Sequence, residues 1–198
     1  MKIGIIGEGD TEYACLPTMV SKLGHTVVGN HNLCGIGANY PTESLFAKKI
    51  YPYVRGLSIK SMQSRPDRVV IVLDRENRTE CSGEIAAAGL KILERELSKE
   101  NLIMPISVVV ANRQFECWLL ADTTALDGSP LFKDVLSSQI GPTIDEINVL
   151  GIIRANLRPS CGWDKPRYGK ALAQKLDLTS PEVLSASRSL RKFVKELT

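Results

Sequence analysis

The sequence predicts an α/β fold in which a mainly parallel sheet of about four strands is flanked by helices. Three apolar runs of strand length support this class, over residues 2–7, 68–74 and 105–111, and helical patterns separate them. Alternation of buried strands and helices is typical of parallel sheets, because each helix carries the chain back to the start of the next strand.

Local signals predict the N-terminal elements. Residues 2–7 form an apolar, β-branched run, and the helix that follows is predicted to end at Gly24. A short second strand is predicted over residues 26–28. A loop over residues 30–39 and a helix over residues 41–56 are predicted to come next.

The second half of the core contains the strongest strand signal. Residues 68–74 read Arg-Val-Val-Ile-Val-Leu-Asp, which is nearly all apolar and β-branched. An amphipathic helix over residues 83–97 and a strand over residues 105–111 complete the alternation. Further helices are predicted over residues 114–122, 168–176 and 185–197.

The size and composition of the chain fit one globular domain. It has 198 residues, of which 43% are hydrophobic and 24% charged. We expect residues 1–125 to form the α/β core and residues 126–198 to form a helical extension packed on it. No run is long and apolar enough to span a membrane, and no signal-peptide pattern opens the chain, so we expect a cytoplasmic protein.

The cysteines predict no structural zinc site. There are five of them, with no Cys-x-x-Cys pair and no histidine at ligand spacing. Reduced thiols are the expectation for such a pattern in a cytoplasmic protein.

Carboxylates follow two of the predicted strands directly. Glu8 lies between two glycines after the first strand, and Asp74 and Glu76 end the strand over residues 68–74. Ligands of open parallel sheets bind outside the carboxyl ends of the strands, so we expect these acids to converge there. Their natural counter-ion is a hard divalent cation, Mg²⁺ or Mn²⁺. The sequence therefore predicts metal-dependent chemistry on phosphate.

Two further glutamates are candidates for the same site. Glu116 lies in an otherwise apolar helix beside aromatic residues, where a carboxylate needs a partner. It is predicted to be a further metal ligand or a general base, or else to pair with Arg113. Glu12 follows Glu8 by four residues and either points back to the site or interacts with the helix dipole.

A basic stretch is predicted to contact phosphate. The net charge of the chain is only +3, but basic residues are concentrated between residues 154 and 170. We expect Lys165, Arg167 and Lys170 to contact the backbone of a nucleic acid.

The acidic motifs resemble those of the TOPRIM superfamily, which supplies the metal site of type IA and II topoisomerases, bacterial primases and OLD-type nucleases. The similar segments are Gly7-Glu8-Gly9-Asp10-Thr11-Glu12, Asp74-Arg75-Glu76, the helix over 115–122, Tyr168-Gly169-Lys170 and the helix over 185–193. In this order they resemble the small stand-alone bacterial TOPRIM-like proteins, which carry a domain of unknown function. One departure is Glu76, where the superfamily usually has aspartate.

This resemblance implies a Rossmann-like TOPRIM fold, a metal site formed by Glu8, Asp74 and Glu76, and nuclease activity. Relatives of this type often occur beside ATPases in phage-defence loci, which implies an ATPase as a partner protein. We therefore expect a metal-dependent phosphodiester hydrolase, in which Glu116 completes the metal shell or acts as a base. The alternative is a non-catalytic subunit that binds a nucleotide or a partner ATPase through the same pocket.

Overall fold

The computed structural model describes residues 1–34, 42–76, 78–127, 129–133, 140, 143–145, 147–158 and 164–198. Within them lies a four-stranded sheet formed by β1 (Lys2–Gly7), β2 (Thr26–Asn32), β3 (Arg68–Asp74) and β4 (Ile106–Ala111). The strand order is β2-β1-β3-β4, and all three pairings are parallel. The predicted α/β, Rossmann-like class is confirmed.

Helices connect and flank the strands. Before β4 these are α1 (Asp10–Lys22), α2 (Thr42–Ser44), a π-helical segment (Leu45–Ile50), α3 (Tyr51–Ser58) and α4 (Ser82–Lys99). After β4 they are α5 (Glu116–Leu119), α6 (Thr123–Leu126), α7 (Val149–Asn156), α8 (Lys165–Lys175), α9 (Pro181–Ala186) and α10 (Arg188–Leu197). In the ranges described, none of them has the length and apolarity needed to cross a bilayer.

The central strands separate two hydrophobic layers. Along β3, Val70 and Val72 pack with α1 and the C-terminal helices, whereas Ile71 and Leu73 pack with the π-helical segment, α3 and α4. This alternation follows from the two-residue period of a strand, and burial on both faces explains why β3 is apolar throughout.

Several element boundaries differ from the prediction. Strand β2 extends to Asn32, well beyond the predicted 26–28, because it lies at the edge of the sheet and its polar residues are only partly buried. The predicted helix over 41–56 continues to Ser58 and contains a π-helical segment. Residues 35–39 of the predicted loop, and residue 41, lie outside the described residues.

The C-terminal helices pack on the sheet through a shared core. Leu190 and Phe193 of α10 belong to the same buried cluster as Ile3 and Ile5 of β1. This packing brings α8 and the start of α10 close to the strand ends. The division of the chain at residues 125 and 126 remains a prediction.

Candidate active site

The turn between β1 and α1 supplies the first two acids of the site. A Cβ on Gly7 would lie 2.7 Å from the Cβ of Glu12, so only glycine lets the first turn of α1 fold back this closely over the strand end. As a result Glu8 and Glu12 are both buried. The sequence left the direction of Glu12 open, and in the structure it faces the strand ends.

Asp74 connects the turn after β1 with the segment after β4. Its backbone N–H donates to Oε2 of Glu8 over 2.8 Å, and its Oδ1 accepts from the N–H of Phe115 over 2.7 Å. One carboxylate oxygen of each acid is thus bonded to the main chain of another segment. The loops after β1, β3 and β4 are held together by their acids.

The loops after β3 and β4 also contain strained backbone. Glu76 has φ = 50° and Arg113 has φ = 68°, and the Glu76 N–H donates to the Arg113 carbonyl over 2.8 Å. Left-handed conformations are unfavourable for residues with a Cβ, and such strain occurs often at functional sites. The strained pair sets the position of Glu76 at the mouth of the site.

A basic side chain approaches the site from α8. Lys165 Nζ lies 3.0 Å from Oε1 of Glu116, which is 3% exposed. Helix α8 can pack closely on α1 because residue 169 is glycine: a Cβ there would lie 3.0 Å from the Cys15 sulfur and 3.2 Å from Cγ2 of Thr11.

These side chains line one cavity of about 370 Å³ at the carboxyl end of the sheet. Its described lining comprises Glu8, Gly9, Asp10, Thr11, Glu12, Asp74, Glu76, Glu116, Lys165 and Pro166. All four predicted catalytic acids are therefore close neighbours, although their roles stay predictions. Arg167 and Lys170 are exposed on α8 and do not belong to this lining.

Burial and mutual repulsion raise the pKa of three acids of the cavity, Glu8, Glu12 and Asp74. Burial raises the pKa of Glu12 to about 7, and the nearby carboxylates of Glu116 and Glu8 contribute. Burial, with repulsion from Glu12, Glu116 and Glu8, raises the pKa of Asp74 well above its usual range. The pKa of Glu8 is also raised, mainly by burial, against the hydrogen bond from Asp74. Crowding of this kind is relieved by bound positive charge.

The donor set fits a hard divalent cation, although the side chains are not arranged around one. Among the described residues, no group of three or more His, Cys, Asp or Glu side chains has the spacing of a metal site. Glu8, Asp74 and Glu116 each direct one oxygen to a protein donor, which leaves the second oxygen for another partner. Carboxylate oxygens are the ligands that Mg²⁺ prefers, so binding requires side-chain rotation and no change of ligand type.

A larger cavity, of about 480 Å³, lies beside α6 and α9. Its carboxylate Asp122 already has partners: Oδ1 accepts from the N–H of Ala125 and Oδ2 from the N–H of Asp177, both over 3.0 Å. Asp122 therefore serves to cap α6 and fix the 177 loop. Charge crowding distinguishes the smaller cavity as the candidate active site.

Comparison with protein-family models gave no match, and comparison with curated protein sequences gave none either. Among solved structures, the chain is similar to the C-terminal region of the Burkholderia pseudomallei OLD protein, with 18% identity, a TM-score of 0.46, and coverage of 99% of this chain and 96% of that one. It is also similar to the C-terminal region of the Xanthomonas campestris pv. campestris OLD protein, with 18% identity, a TM-score of 0.39, and coverage of 98% and 96%.

Proposed function

We propose that this protein is a metal-dependent phosphodiester hydrolase that acts on nucleic acid. The observation that supports this most strongly is the convergence of six acidic residues on one cavity: Glu8, Asp10, Glu12, Asp74, Glu76 and Glu116. Glu8, Glu12 and Asp74 have a raised pKa, mainly because they are buried and also because neighbouring carboxylates repel them.

Glu8, Asp74 and Glu76 would hold Mg²⁺ or Mn²⁺, with Glu12 or Glu116 completing the set. When bound, the ion would polarise the scissile phosphate and stabilise the leaving oxygen. Glu116, or Glu12 with its pKa of about 7, can accept a proton from the attacking water. The backbone hydrogen bonds to Glu8 and Asp74 would keep these acids oriented while substrate binds.

Lys165 is the side chain best placed to meet a phosphate. Its ammonium group already lies 3.0 Å from Glu116 and lines the acidic cavity. A phosphate that entered the cavity would compete for this ammonium and bring it next to the reacting atoms. Arg167 and Lys170, which are exposed on the same helix, would contact the nucleic acid beyond the scissile group.

The resemblance to stand-alone TOPRIM-like proteins adds a partner to this proposal. The partner would be an ATPase, and the pair would act in phage defence in the cytoplasm. The competing proposal, a non-catalytic adaptor, uses the same cavity to bind a nucleotide or the ATPase. It differs in one measurable property, since an adaptor does not need the acids for phosphodiester cleavage.

The test measures Mn²⁺ binding by calorimetry and plasmid cleavage on the same samples. Glu8→Ala and Asp74→Ala should each abolish both properties, because each removes a hard oxygen ligand of the metal. The loss of transition-state stabilisation should lower the cleavage rate on the order of a hundredfold or more. Glu94→Gln, which neutralises an exposed acid on α4, should change neither property. Circular dichroism on all variants checks that the fold is intact.

Two outcomes contradict the proposal in different ways. Absence of Mn²⁺ binding in the wild type would mean that the acids serve another purpose. Cleavage that survives Asp74→Ala in a correctly folded sample would place the reaction elsewhere. Metal binding without cleavage of single- or double-stranded DNA or RNA, in the presence of ATP and the partner, would favour the adaptor.

A further inference from the structure

Another cavity, of about 400 Å³, lies at the open edge of β4 between α4 and α10. Strand β4 ends the strand order and pairs with β3 alone in the described sheet. Helix α4 packs on the face of β4 that carries Val108 and Val110, and α10 packs on the face that carries Val109. The three valines form an apolar floor between the two helices.

The rim of this cavity is basic. Arg75, Arg188 and Lys192 line it, and its one described acid is Asp145. Oδ1 of Asp145 accepts from the hydroxyl of Ser187 over 2.6 Å, and Oδ2 accepts from the N–H of Arg188 over 2.8 Å. Asp145 therefore fixes the start of α10, and it offsets only part of the positive charge that Arg75, Arg188 and Lys192 give the rim.

Two of the three cations lack a counter-ion. Neither Arg75 nor Arg188 forms an ion pair with any residue in the part of the chain that the structure describes, whereas Lys192 pairs with Glu196. Guanidinium groups that line a cavity without forming an ion pair are suited to binding planar or tetrahedral oxyanions.

Buried polar atoms at the same place also lack partners. Nε of Arg75 and Oγ of Ser82 are inaccessible to solvent, and neither has a hydrogen-bond partner in the described residues. A buried donor without an acceptor costs about 1–3 kcal/mol, so such groups are usually satisfied. Ser82 begins α4, an 18-residue helix whose first N–H groups add positive potential at the rim. An acceptor-rich anion bound here would supply the missing partners if the Arg75 and Ser82 side chains rotated toward the cavity.

We infer that this cavity binds the phosphate of a nucleotide, with Arg75 and Arg188 on the phosphate and the valine floor against the base or sugar. The volume suits one nucleotide, and the combination of an apolar floor with a few convergent polar groups is typical of small-ligand sites. The nucleotide is either free or part of a strand, and the phosphate chemistry is the same in both cases.

This site is separate from the acidic cavity. Asp74 and Glu76 line the acidic cavity, and Arg75 between them lines the basic one. The inference does not depend on the proposed nuclease activity, because binding can be measured with EDTA present and with the acids replaced.

The experiment measures binding of adenosine 5′-monophosphate by calorimetry, with EDTA and at low salt. Arg188→Gln should weaken binding about tenfold, because one charge-assisted hydrogen bond to phosphate is lost. The matched control is Arg191→Gln, an exposed arginine of the same helix that does not line the cavity, and it should bind like the wild type. Lys192→Gln is a second test that leaves the helix start unchanged.

A parallel titration uses a single-stranded DNA oligonucleotide with the Asp74→Ala variant, which cannot cleave it if the proposed function is right. A loss of mononucleotide affinity in Arg188→Gln would identify a free nucleotide as the ligand. A loss confined to the oligonucleotide would identify a nucleotide within a strand. Equal affinities for Arg188→Gln and Arg191→Gln with both probes, or no binding of either probe by the wild type, would overturn the inference.

Protection of a thiol gives an independent readout. Cys81 is exposed and lines the same cavity. Adenosine monophosphate at saturation should slow alkylation of Cys81, measured by mass spectrometry, and should leave alkylation of the exposed Cys34 unchanged. Equal rates at Cys81 with and without the nucleotide would count against binding in this cavity.

Discussion

Two cavities of similar volume lie on opposite sides of the short segment that follows β3, and their charges are opposite. The acidic cavity, of about 370 Å³, receives Asp74 and Glu76, and the basic cavity, of about 400 Å³, receives Arg75. The acidic cavity lies toward α1 and α8, and the basic cavity lies between α4 and α10. Asp74 ends β3, whereas Glu76 has a left-handed backbone with φ = 50°, and Arg75 between them lines the opposite cavity.

Acidic and basic side chains at the carboxyl end of the sheet are separated into different cavities. In the acidic cavity, burial and repulsion between carboxylates raise the pKa of Glu12 and Asp74, and Lys165 is the neighbouring cation. In the basic cavity the one described acid, Asp145, accepts hydrogen bonds from the start of α10 and forms no ion pair with Arg75 or Arg188. Each cavity therefore favours a ligand of the opposite charge.

The largest effect is expected when the charges of Arg75 and Glu76 are exchanged. The double variant Arg75→Glu with Glu76→Arg keeps composition and net charge but reverses the charge that enters each cavity. Affinity for Mn²⁺ should fall about a thousandfold, because attraction at short range becomes repulsion. Affinity for adenosine monophosphate should fall as well. Calorimetry with each ligand checks both effects, and unchanged affinities would show that the residues do not face the cavities in solution.

The next largest effect is expected on the pH dependence of folding stability, to which the acids of the acidic cavity contribute. Folding raises the pKa of Glu12 from 4.5 to about 7, so between these values the folded protein keeps a proton that the unfolded chain has lost. The contribution of this group to stability is therefore greatest below pH 4.5 and is lost as the pH rises to about 7, a change of about 3 kcal/mol. Glu8 and Asp74 act in the same direction.

Urea unfolding with EDTA at about pH 5 and about pH 8 measures this change. Glu12→Gln should be less sensitive to pH than the wild type, whereas Glu94→Gln, an exposed acid, should follow the wild type. A wild-type protein that gains stability over this range would contradict the burial and crowding of the acids.

A smaller effect is expected from the cation of the acidic cavity. Lys165→Gln should tighten Mn²⁺ binding by about fivefold, because removal of a partly exposed positive charge strengthens the local negative potential. Plasmid cleavage should decrease in the same variant. An increase in Mn²⁺ affinity together with a decrease in cleavage distinguishes a residue that contacts phosphate from one that supports the metal. Lys175→Gln, on the same helix, is the control.

The smallest effect is expected outside both cavities. Lys170 is exposed on α8 and borders neither lining. Lys170→Gln should weaken nucleic-acid binding only about twofold and reduce the salt dependence of the binding constant by about one charge. Fluorescence anisotropy over a series of salt concentrations measures both quantities. A loss as large as that of Lys165→Gln would place Lys170 much closer to the scissile phosphate.

The sequence was most informative where one element determines the outcome. The apolar run of β3 and the acids after β1 and β3 are local patterns, and they predicted the sheet and the end at which Glu8 and Asp74 meet. Strand β2 was predicted too short, because the polar Asn30, His31 and Asn32 give no strand signal, although an edge strand tolerates them.

The rest of the two cavities depends on contacts between distant segments. The inward direction of Glu12 requires the close contact at Gly7, and the approach of Lys165 to Glu116 requires the close contact at Gly169. The spacing of Glu12 from Glu8 was a weak signal for the first of these. No sequence signal predicted the basic cavity, because Arg75 and Arg188 are far apart in the chain and become neighbours only when α10 packs on β4.

The hydrogen bonds that Glu8 and Asp74 accept give these acids a structural role as well as a proposed chemical one. Glu8 and Asp74 accept hydrogen bonds from the main chain of β3 and from Phe115, so they contribute to folding whether or not a reaction takes place. A descendant that lost its activity would still be selected to keep both acids. The Glu76 carboxylate accepts no hydrogen bond from the described residues and is free to drift. Its replacement, more than that of Glu8 or Asp74, would mark a lineage that has stopped using the site.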